Sequence, residues 1–80
     1  MSKIDFSQML APEVLAAAAR RREVEATIAL LVAELASTDW LVIREAEGGA
    51  AMGADIREAR GRARAEISQL RDELQALPAA

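Results

Sequence analysis

The sequence predicts an all-α protein: a helical hairpin of two long helices with a short middle helix, completed to a bundle by dimerisation. Three observations predict it. Two long stretches are rich in Ala, Leu, Glu and Arg, the residues that favour helix. Apolar residues recur within both in steps of three and four. Between them stand helix-capping residue types and a Gly-Gly pair.

The first ten residues show no sustained period and are read as an extended arm, 1–10, ahead of a single helical domain, 11–80. Phe6, Met9 and Leu10 in that arm are suited to covering a core edge. Pro12 fits the first turn of a helix, where its missing N–H costs nothing, and Glu13 suits the positive end of the helix dipole. The next stretch, to Ala36, contains neither Gly nor Pro. Val14, Ala17, Val24, Ile28, Leu31 and Leu35 form its heptad seam, with Arg21 in an inner slot. Leu30 and Val32 widen the apolar stripe, so this end is expected to touch more than one neighbour.

Ser37, Thr38 and Asp39 are preferred N-cap types and are read as interrupting the first helix before Trp40. Trp40 to Glu47 then reads as the short middle helix, although Leu41, Val42 and Ile43 also suit a strand. Gly48 and Gly49 end that element, and Ala50 to Gly53 is expected to be a flexible connector. The last helix runs from about Asp55 to Leu77, where Pro78 stops it. Its seam is Ile56, Ala63, Ile67, Leu70, Leu74 and Leu77, with Arg60 at an inner slot. Glu58 with Arg62 and Arg62 with Glu66 stand four apart, the spacing of helical ion pairs.

Composition narrows the chemistry. The 80 residues include no Cys and no His, so disulfides, thiolate zinc sites and the commonest general base are excluded. No cofactor and no metal site are expected. Glu45 and Glu47 point to different sides of any helix and have no nucleophile or base beside them, so an enzyme is not expected. One Phe, one Trp and no Tyr leave no stacking platform for nucleic acid, and the net charge of −3 disfavours phosphate binding. The Arg20-Arg21-Arg22 run reads as a solvated face with Arg21 paired to Glu25, with a contact to an anion or acidic partner as the second reading, and Arg57, Arg60, Arg62 and Arg64 are interleaved with acids. The apolar stretch Ala26–Ala33 is too short to span a bilayer, so no membrane is expected and the chain is assigned to the cytoplasm.

What remains is a protein-binding surface. Arg21 and Arg60 interrupt apolar seams, either to fix register or because each lies near a helix end and reaches water along its stem. Trp40 is read as a core plug at the hairpin turn, with an interface anchor as the second reading. Phe6, Trp40, Arg44, Glu45 and Glu47 are assigned to the partner surface; Val24, Ile28, Leu31, Leu35, Ile67, Leu70 and Leu74 form the dimer or hairpin seam.

The opening Met1 to Met9 resembles the start of small proteins of tailed-bacteriophage late gene clusters. The run Leu35-Ala-Ser-Thr-Asp-Trp-Leu-Val-Ile-Arg-Glu-Ala-Glu-Gly-Gly49, followed by Arg60, Arg64, Ile67 and Leu70, is similar to the C-terminal segment of phage tail-fibre assembly and tail-associated proteins. Those proteins usually carry a Pro where Met52-Gly53 stands here. The resemblance implies a phage tail-assembly or tail-associated protein, in the cytoplasm of the infected bacterial host or else associated with the virion, with a tail-fibre component as partner. The alternative is a phage-encoded inhibitor of host defence, of the anti-CRISPR kind, that covers a nucleic-acid-binding surface on a host complex.

Overall fold

The computed structural model describes residues 11–78, so the expected arm with Phe6 lies outside the described residues. Among the described residues two helices make the fold, α1 (Pro12–Ala46) and α2 (Ala54–Ala76), packed on each other as an antiparallel hairpin. No strand occurs among the described residues. At 1.5 Å per residue the helices are about 52 Å and 35 Å long. Pro12 occupies the first turn of α1 with Glu13 beside it, as the helix-start chemistry requires.

The short middle helix does not exist as a separate element. Trp40 to Ala46 continues α1 without a break. Ser37 and Thr38 are not caps: their hydroxyls donate back to the carbonyls of Glu34 (2.6 Å) and Leu35 (3.3 Å), which satisfies both side chains inside a helix. Asp39 turns instead to Arg60 on the other helix.

The end of α1 is closed by the glycines. Gly48 has φ +87°, its N–H reaches the Glu45 carbonyl at 3.1 Å, and the Gly49 N–H reaches the Arg44 carbonyl at 2.8 Å. These are the two bonds of a Schellman cap. Gly49 is required for a second reason, since a Cβ there would stand 2.6 Å from Arg44 Cγ. The connector that follows is anchored at Met52, whose side chain is buried and whose N–H donates to Glu45 at 2.6 Å.

The core is thin. Among the described residues Val24 and Leu41 from α1, Met52 from the connector, and Ala63 and Ile67 from α2 are the buried side chains, and no polar residue is buried with them. Ile28, Leu31 and Leu35 on α1 and Leu70 and Leu74 on α2 are half-buried along the same line. Arg21 reaches the Pro78 carbonyl at 3.0 Å, so Pro78 stands level with Arg21 and the first turns of α1 run on past it.

Candidate functional site

Three polar clasps hold the hairpin, and they determine which surfaces are left for anything else. The central one is Arg60, two turns into α2 and only 13% exposed. It donates to the Leu35 carbonyl (2.8 Å), to Thr38 Oγ1 (2.6 Å) and to Asp39 Oδ1 (2.9 Å). All three partners lie on one turn of α1, so the guanidinium fixes the axial register of the two helices. At the turn end, Glu45 accepts from the Met52 N–H and from Arg57 Nη2, at 2.7 Å for the nearer oxygen. The Met52 bond, then the Arg57 bond, hold the Glu45 carboxyl below the ordinary carboxylate range. At the open end, Arg20 grips Glu73 with two nitrogens, Nη2 at 2.8 Å from Oε1, and also meets Glu23 at 3.1 Å. The Arg20 bond lowers the Glu73 pKa, and the Arg20 pKa is raised in return.

The outward faces of the two helices differ in kind. The outer side of α2 is lined by exposed charged and polar residues, including Glu58, Arg62, Glu66, Gln69 and Asp72. The outer side of α1 is not. Between Ala26 and Ile43 the only charged residues of α1 are Glu34 and Asp39, and successive rotation by 100° places both towards its flanks. Trp40 is 58% exposed, Ile43 56% and Leu30 68%, with Ala29, Ala33 and Ala36 on the same side. Arg44 lies over the Trp40 ring, 5.2 Å from its centroid, and extends its exposed face into a cation–π pair.

Trp40 therefore does not plug the core. Because α1 is unbroken, its phase carries through from Val24, and Leu41 takes the inward position of that turn while Trp40 points away. Of the residues assigned to a partner surface, Trp40, Arg44 and Glu47 sit together on the outer side near the end of α1, whereas Glu45 is occupied in the turn clasp. Phe6 lies outside the described residues. Arg21 bonds to Pro78, and no Arg21–Glu25 pair forms among the described residues; Glu58 and Arg62 do pair, at 3.0 Å.

No family model, curated protein or solved structure matches the chain.

The outward face is not evident in the inner seams because its central positions are alanines, which give a weak apolar signal. The signal is nevertheless regular: Leu15, Ala19, Arg22, Ala26, Ala29, Ala33, Ala36, Trp40, Ile43 and Glu47 follow alternating steps of four and three, a second heptad track on the far side of α1. One 18-residue window of α1 has mean hydropathy 1.6 and is 6% buried, which by length and composition is apolar enough to cross a membrane. A shallow groove of about 320 Å³ runs beside Arg60, lined by Glu34, Leu35, Ser37, Ile56 and Ala59. Among the described residues no group of acids is placed to hold a metal ion.

Proposed function

We propose that this chain is a non-enzymatic docking protein of bacteriophage tail assembly, which works by laying the outward face of α1 against other protein. The observation that carries the docking part is the mismatch between composition and packing. Between Ala26 and Ile43 α1 is apolar on both its inner and its outer side, which calls for a neighbour on each, and among the described residues it packs against α2 alone. An apolar patch uncovered among the described residues, with an exposed Trp towards one end, is the usual mark of an association surface.

What supports the tail-assembly part is the resemblance in Leu35–Gly49 and in Arg60, Arg64, Ile67 and Leu70. Several of these residues have evident work in the hairpin: Asp39 meets Arg60, Gly48 and Gly49 close α1, and Ile67 fills the core. Trp40 and Ile43 are the large apolar residues of this stretch most turned to the outside, at 58% and 56% exposed.

The test is co-expression of the tagged chain with the tail-fibre protein of the phage that encodes it. Retention of the fibre protein by the wild-type chain, and its loss from Trp40→Glu or Leu15→Glu variants that stay helical, is the expected result. No retention by the wild-type chain, or equal retention by both variants, overturns the reading.

A further inference from the structure

We propose that the face around Trp40 is covered by a second copy of this chain, running antiparallel, in one defined register. The inference rests on the docking reading and names the first occupant of that surface. Two complementarities within the face select it. Placing α1 antiparallel to itself with Ala33 opposite Ala36 brings Ala29 opposite Trp40 and Ala26 opposite Ile43, so each large side chain meets a small one. The same register closes the ends by charge. Arg22 of one copy opposes Glu47 of the other, and Arg44 comes within reach of Glu23 along the edge of the seam. Two-fold symmetry makes each of these contacts twice. Arg22 and Glu47 have no ion-pair partner among the described residues, so both are available.

Other arrangements lose these matches. A parallel pair stacks Trp40 on Trp40, Arg22 on Arg22 and Glu47 on Glu47, with empty alanine layers between. Sliding the antiparallel pair by one heptad sets Arg22 against Trp40 and Leu15 against Glu47, or Ala29 against Glu47. The chosen register runs from Arg22 to Glu47, a contact line of about 38 Å. It leaves Leu15 and the first turns of α1, beyond Pro78, projecting from both ends for a tail component. Because this face lies across α1 from the α2 seam, the dimer is a flat array of four helices with the two α1 helices at its centre.

Light scattering on the purified chain gives the first readout, with a mass twice 8.6 kDa expected at micromolar concentration. Trp40→Ala, which removes an exposed residue and leaves the hairpin core untouched, is expected to raise the dimer Kd at least about 30-fold while helicity by circular dichroism is unchanged. The chain has no cysteine, so orientation can be read from two single variants, Ala26→Cys and Ile43→Cys. Their mixture under mild oxidation should yield the 26–43 cross-linked pair, with little cross-linking of either alone. A monomer mass overturns the inference yet leaves the docking reading standing. Homotypic 26–26 cross-links overturn the antiparallel register. A monomer that moves onto phosphatidylcholine vesicles assigns the face to a membrane and overturns it as well. A dimer that captures no fibre protein instead counts against the tail-assembly reading alone.

Discussion

At the scale of single residues, the hairpin depends on a few polar side chains that reach from one helix to the other or to the connector. Arg60 gives three hydrogen bonds to one turn of α1, so Arg60→Ala should cost about 1.5–3 kcal/mol, the range for bonds made by a charged group. Urea denaturation of the two proteins measures it; a loss below about 0.5 kcal/mol would show the guanidinium to be a bystander reaching for water. Glu45 and Glu73 predict the pH response. Both carboxyls have pKa values lowered from the ordinary 4.5, Glu45 by the Met52 N–H and then Arg57, Glu73 by Arg20. A group whose folded-state pKa is lowered contributes stability in full above its unfolded value and loses it as pH falls through the folded one. The hairpin should therefore weaken on the acid side of 4.5 and be insensitive to these two groups above it. Glu45→Gln should start less stable at neutral pH and lose less on acidification, which thermal melts near pH 7 and near pH 3 can check.

At the scale of elements, helix content and the inner seam were legible in the residues, while the break before Trp40 and the outward face were not. The steps Val24, Ile28, Leu31, Leu35 on one helix and Ile67, Leu70, Leu74 on the other are strong because branched and long apolar side chains carry them. Ser37, Thr38 and Asp39 misled because the same side chains that cap a helix can also bond backwards within one, and Arg60, distant in sequence, decides between the two by offering Thr38 and Asp39 a partner. A wrongly placed helix break resets the phase of everything after it, which is how Trp40 came to be read as core. The true end of α1 is the Gly48-Gly49 cap, and it can be probed. Gly48→Ala must hold an L-residue at φ +87° and should cost about 1–2 kcal/mol. Gly49→Ala, whose Cβ would overlap Arg44, should cost at least as much and should also disturb the Arg44–Trp40 pair, visible as a change in Trp fluorescence. Equal stability of both variants to the wild type would mean the cap does not set the end of α1.

At the scale of the whole molecule, the five side chains buried among the described residues are a small core, and the apolar surface that could enlarge it is on the far side of α1. A second copy covering that surface ties folding to association, and association has a thermodynamic signature that the hairpin alone lacks. If two chains unfold as they separate, each tenfold rise in concentration adds about 1.4 kcal/mol per dimer. With an unfolding enthalpy near 0.7 kcal/mol per residue summed over both chains, that corresponds to a rise in Tm of about 3–5 °C. The wild-type chain should show this slope across two decades of concentration. Trp40→Ala should melt lower and show a flat line at concentrations below its raised Kd, because a monomeric hairpin unfolds independently of its concentration. Ile67→Ala separates the two contributions: it empties part of the α1–α2 core and should lower Tm at every concentration while keeping the slope, since the outward face is untouched. A flat wild-type line would mean that the thin inner core suffices and that the Trp40 face is stable in water uncovered.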